Sequence, residues 1–90
     1  MSREIKIQNL VKDKLLQDLN IIPILVIFTY HGGYNDGMLS ITTYLKEELD
    51  MILDFVEYKT QCDQSGYWIN WETNTIIFTG IALIHLYSLL

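Results

Sequence analysis

Glu47, Asp50, Asp54 and Glu57 recur at spacings of three, four and three residues, which places four carboxylates on one ridge of a helix. Such a ridge can dock onto Lys and Arg of a partner, with association rates that fall as salt is added. The same pattern is also what the solvated side of any amphipathic helix shows. Lys46 and Lys59 flank the ridge without neutralising it. A second cluster, His31-Gly32-Gly33-Tyr34-Asn35-Asp36-Gly37, offers consecutive backbone N–H groups that could cradle a phosphate. It lacks the Lys-Ser/Thr of a P-loop and the spacing of a dinucleotide fingerprint, and the next helix begins too late to aim its N-terminus there. Gly, Asn and Asp are also the ordinary residues of a tight reversal, and that reading is favoured over a ligand site.

Catalytic chemistry has little support. Cys62, His31 and His85 lie far apart in sequence, so a Cys-His pair would depend on the fold to bring them within hydrogen-bonding reach. No helical His-Glu-x-x-His, paired-cysteine or calcium-loop spacing occurs, so neither a metal site nor a cofactor is expected. Tyr30, Tyr34, Tyr67 and Trp68 could build an aromatic contact surface, or serve as core in so small a domain. Trp68 stands apart, because it lies on the opposite side of its strand from Ile69 and Trp71. Either a helix covers it or another molecule does.

The 90 residues, half of them hydrophobic, suffice for one compact domain over residues 1–90, and help from self-association is plausible at this size. A formal charge of −5 argues against direct contact with nucleic acid, whose affinity depends on Lys and Arg, and favours a partner with a basic protein surface. One cysteine permits no intramolecular disulfide, which fits a cytosolic setting. Met1-Ser2-Arg3-Glu4 has no signal-peptide pattern. Thr73 to Leu90 carries no formal charge but is interrupted by Thr, Asn, Gly, His and Ser. It falls slightly short of the about 20 apolar residues of a membrane span, so Ile81 to Leu90 reads as a buried terminal element or a subunit contact, as helix or as strand.

The elements that must position these residues follow from periodicity. Leu10, Val11, Leu15 and Leu19 recur at helical spacing within residues 3–19, with Asn20 able to close the helix in the left-handed conformation and Pro23 preventing continuation. Ile5-Lys6-Ile7 alternates like a strand, which would delay the start of the helix to about Gln8. Ile24 to Phe28 is apolar on both faces, which predicts a strand covered on both sides, central in its sheet. Ile24 to Tyr30 and Met38 to Thr43 form the two arms of a hairpin around the glycine-rich turn. A second helix over 43–59 carries Leu45, Leu49, Ile52, Leu53 and Val56 inward, with Thr42 or Thr43 as its N-cap. A second hairpin over 66–80 pairs Trp71 with Ile76 and Ile69 with Phe78 if Thr73-Asn74 is a two-residue loop. The sum is an α+β domain. Its four-stranded, mostly antiparallel sheet consists of two hairpins (24–43 and 66–80) packed by helices and followed by an apolar C-terminal element.

The decapeptide from Tyr30 to Leu39 resembles the hairpin of a family of short uncharacterised proteins carried by phages and plasmids. There an aromatic, two spaced glycines, an acidic residue and an aliphatic precede a helix and a second hairpin. Tyr30, Gly32, Gly37 and Leu39 match that pattern, whereas Asn35 and His31 depart from it; the similarity spans about Leu25 to Phe78. It implies a fold and a mobile-element origin, and no activity. The reading that follows is a small, acidic, non-enzymatic binding protein in the host cytosol. It would inhibit a host defence or nucleic-acid-handling protein by contact through Glu47, Asp50, Asp54, Glu57 and Trp68. The alternatives are a binder of a small phosphorylated ligand or nucleotide at His31 to Asp36, and a structural module that homo-oligomerises through Ile81 to Leu90.

Overall fold

The computed structural model describes residues 2–30, 37–60 and 66–90. The candidate ligand loop His31 to Asp36, and Cys62 with its neighbours, lie outside the described residues.

Helix α1 runs from Arg3 to Leu19. Its start at Arg3 rather than Gln8 is explained by Ser2, whose Oγ accepts the Ile5 N–H at 3.2 Å. An N-cap of this kind is worth about 1 kcal/mol, enough to carry the helix through the strand-like Ile5-Lys6-Ile7. At the other end Asn20 takes the left-handed conformation (φ 56°) and the Ile21 N–H reaches back to the Leu15 carbonyl at 3.1 Å, a Schellman closure. Val11 and Leu15 are buried, while Leu10 is exposed.

Strand β1 (Leu25–Tyr30) pairs antiparallel with β2 (Gly37–Thr42). β3 (Tyr67–Asn70) pairs with β4 (Thr75–Thr79), and β4 joins the hairpins by pairing with β2, for a sheet order β1-β2-β4-β3. The domain is α+β, as expected, and its four-stranded sheet, expected to be mostly antiparallel, is antiparallel at every pairing. Its first strand, however, is not central. β1 sits at an edge, and its two-sided apolar pattern reflects a sheet whose outer face is itself apolar, a property that alternation along one strand cannot distinguish from central burial. The Phe28 N–H donates to the Gln8 Oε1 of α1 at 3.0 Å.

Gly37 belongs to β2 and has no positive φ, so turn geometry is not its role. A Cβ there would stand 2.9 Å from Leu83 Cδ2 and 3.2 Å from the Phe28 ring. Its missing side chain lets helix and strand close on each other.

Helix α2 (Lys46–Thr60) begins three residues later than the N-cap expectation placed it. Thr43 is buried, and its hydroxyl donates to the Leu45 carbonyl at 2.9 Å instead of accepting from the helix. The Glu48 carboxylate takes the Leu45 N–H at 3.0 Å, the reciprocal half of a capping box. Leu49, Ile52 and Val56 are buried, whereas Leu45, outside the helix, is exposed.

The second hairpin closes through a four-residue turn, Trp71 to Asn74, so Ile69 pairs with Ile76 and Tyr67 with Phe78. The two-residue loop expected above is therefore two positions out of register. Asn70 explains the longer turn, since its Oδ1 accepts from the N–H groups of Glu72 at 3.0 Å and Thr73 at 3.3 Å. Because side chains alternate with period two, a slip of two leaves each residue on its predicted face. Lys46 Nζ donates to the Trp71 carbonyl at 2.9 Å, tying the turn to the start of α2.

The C-terminal apolar element is helix α3 (Gly80–Tyr87). Ala82, Leu83 and Leu86 enter the same core as Val11, Leu15, Leu49, Ile52 and Val56, against Phe28, Leu39, Ile41, Ile76 and Phe78 of the sheet. All three helices thus cover one face of the sheet. No helix among the described residues is long and apolar enough to cross a membrane.

Candidate functional site

The opposite face follows from the strand registers. Leu25, Ile27 and Thr29 project from β1, Met38, Ser40 and Thr42 from β2, Thr75, Ile77 and Thr79 from β4, and Trp68 and Asn70 from β3, eleven side chains in all. None is charged. Every described Lys, Arg, Asp and Glu except Glu72 lies on α1 or α2, in the helical layer. Leu25, Ile27, Met38 and Trp68 are exposed, with Trp68 at 49%.

Three of the threonines on this face are occupied within the chain. The Thr42 and Thr75 hydroxyls lie 2.9 Å apart, Thr75 also receives the Thr73 hydroxyl at 3.0 Å, and the Thr79 hydroxyl donates to the Gly66 carbonyl at 3.2 Å. A contact that excludes water would leave these three hydroxyls with partners, which lowers the cost of covering the centre of the face.

The acidic ridge is present on α2. Glu47, Asp50 and Asp54 are exposed, and no cation pairs with them among the described side chains; on α1, Lys14 pairs with Asp18 at 3.1 Å. Glu57 differs. It is half-buried and accepts the Tyr67 hydroxyl at 3.1 Å, which fastens α2 to β3. Tyr67→Phe is expected to lower the unfolding free energy by about 1 kcal/mol, the usual worth of one such hydrogen bond, read as a lower urea midpoint with an unchanged m-value.

The structure does not bring the predicted contact residues together. Trp68 projects from the outer face of the sheet, while Glu47, Asp50 and Asp54 lie on a helix that covers the inner face. They form two surfaces. The segment expected to mediate subunit contact is also largely committed, because Ala82, Leu83 and Leu86 are core and Ile81, Ile84 and Leu90 remain exposed. His85 is half-buried on α3.

Sequence reasoning placed Ile77 and Thr79 beside Trp68 but missed the β1 and β2 part of the outer face: Leu25, Ile27, Met38 and Ser40. The available signal was the two-sided apolar pattern of β1 together with the absence of charge at alternate positions of all four strands. A further apolar shelf, where Leu16, Ile22 and Ile24 line a shallow cleft around Pro23, also holds Lys12 and Asp13 and has the mixed character of ordinary surface.

Compared with known proteins, the chain matches no family model, no curated protein and no solved structure.

Proposed function

We propose that this chain is a non-enzymatic binding module that works by protein–protein contact, with the outer face of its sheet as the principal surface. The observation that supports this is the segregation of charge: eleven outward strand positions carry none, while the helical layer carries nearly all of it. A sheet face that stays in water is normally dressed with polar and charged side chains, and a contiguous apolar patch rimmed by polar groups is the mark of a contact site. Trp68, half exposed on that face, is the residue type in which contact energy concentrates.

A photo-crosslinking residue introduced at Trp68 or at Ile27 tests the reading in cells. Covalent protein adducts are expected at both positions. Their absence at both would remove the sheet face as a contact surface.

The α2 ridge supports a second surface, directed at a basic partner. Three exposed carboxylates without an ion pair among the described residues, on a chain of net charge −5, suit a protein that presents Lys and Arg. Inhibition of a host defence or nucleic-acid-handling protein in the cytosol, the role that charge and size favour, would use this ridge. The double variant Asp50→Lys/Asp54→Lys is expected to slow association with a partner crosslinked at Glu47 by about tenfold at low salt and to flatten its salt dependence. An unchanged rate in stopped-flow mixing would exclude the ridge.

A further inference from the structure

The sheet face points to a particular occupant: we propose that it is covered by a second copy of this chain, stacked sheet on sheet about a two-fold axis. This rests on reading that face as a contact surface, and specifies what covers it.

Charge is the first reason. Each copy carries −5, so two copies repel unless they meet where charge is absent. The outer face is such a place. Stacked sheets lie about 10 Å apart. With a helical layer roughly 10 Å behind each sheet, the charged helices of the two copies are separated by about 30 Å, well beyond the Debye length of about 8 Å at physiological salt. An uncharged face, conversely, gives a foreign partner no electrostatic steering.

Shape is the second. One cross-strand row, Ile27–Ser40–Ile77–Trp68, spans all four strands. A two-fold axis parallel to the strands and between β2 and β4 reverses this row on the other copy. Ile27 then opposes Trp68, and the large Ile77 opposes the small Ser40. The next row, Leu25–Thr42–Thr75–Asn70, brings together the central threonines, whose hydroxyls already bond one another within each chain. Self-complementarity of this kind is what an isologous contact requires.

Area sets the strength. Four strands of about five residues cover roughly 19 by 17 Å, about 300 Å² in projection. A standard interface buries about 800 Å² of accessible surface on each side. The expected dimer is accordingly reversible, with a dissociation constant in the micromolar range.

Sedimentation velocity on the purified full chain, from about 1 to 300 μM, is the test, the range being chosen to bracket a contact of this size. The mass should rise from monomer towards dimer. Ile27→Lys and Trp68→Lys should each weaken dimerisation at least tenfold while far-UV circular dichroism is unchanged, and Ile84→Lys on α3 should leave it intact. In a Cys62→Ser background, a short bismaleimide should link a mixture of Ile27→Cys and Trp68→Cys proteins more efficiently than either protein alone. A chain that stays monomeric at all concentrations overturns the proposal, as does a dimer that is lost in Ile84→Lys and indifferent to the sheet variants. If the chain is monomeric and Trp68 crosslinks to a different protein in cells, the self-contact fails and the contact-surface reading stands. If it is monomeric and Trp68 and Ile27 crosslink to nothing, both fail.

Discussion

Phe78→Ala is expected to remove about 3–5 kcal/mol of stability, as is typical of a phenylalanine truncated in a packed core. Phe78 has no exposed surface. It is cross-strand neighbour to Leu39 on one side and Tyr67 on the other, with the Tyr67 ring centroid 6.2 Å away. It therefore joins the two hairpins at the strand pair that unites them. At about 0.05–0.15 kcal/mol per residue, a chain of this length has total stability of only some 5–13 kcal/mol. The variant should melt roughly 12–40 °C below the parent, at about 4–8 °C per kcal/mol for a domain of this size. Thermal circular dichroism checks this. A loss below about 1 kcal/mol would mean the two hairpins are not held together through this residue.

Gly66→Ala is expected to cost about 2–4 kcal/mol, from a combination of backbone strain and steric clash. Gly66 has φ +92°, a region L side chains rarely adopt, and a Cβ there would stand 2.5 Å from the Thr79 carbonyl oxygen and 3.1 Å from the Ala82 nitrogen. Both are backbone atoms. The Gly66 carbonyl accepts the Thr79 N–H at 2.6 Å and the Thr79 hydroxyl at 3.2 Å, so the two segments cannot simply separate. Gly80→Ala is the control. It also has positive φ (+55°) but no atom within 4 Å of a Cβ, so only the dihedral cost of about 1 kcal/mol applies. Urea denaturation of the pair separates clash from strain, and equal losses would show that the close approach at Gly66 relaxes freely. Since Gly66 fixes the start of β3, its replacement should also move Trp68 and weaken any contact made by the outer face.

Much of this architecture is legible in the residues themselves. Leu49, Ile52 and Val56 announce the buried stripe of α2, and Asn20 with Pro23 announces the end of α1, because these are local matters of period and backbone conformation. The position of β1 in the sheet is not local. Its neighbours are set by which hairpin docks on which strand, and Ile24 to Phe28 has the same composition whether the second apolar face meets a helix or solvent. The second hairpin shows the reverse case. Asn70 lengthens the turn by side-chain hydrogen bonds that Thr73-Asn74 alone does not suggest, yet the period of two keeps Trp68 on the face its sequence assigns it. Helix α3 was open to both interpretations because Gly80 to Tyr87 is apolar nearly all round, and only burial of Ala82, Leu83 and Leu86 selects the helix. The acidic ridge was visible from spacing, but its separation from Trp68 depends on which side of the sheet α2 packs, and no residue of α2 encodes that alone.

The glutamine that α1 sets against β1 carries a last implication. A ribbon of molecules joined strand to strand needs two open borders on every unit, and here the Phe28 amide at one border is already stoppered by Gln8. A strand arriving at that border would first have to displace Gln8 from the Phe28 amide. For a protein whose outer sheet face carries no charge, one side chain of its first helix thereby raises the cost of adding a strand beside β1.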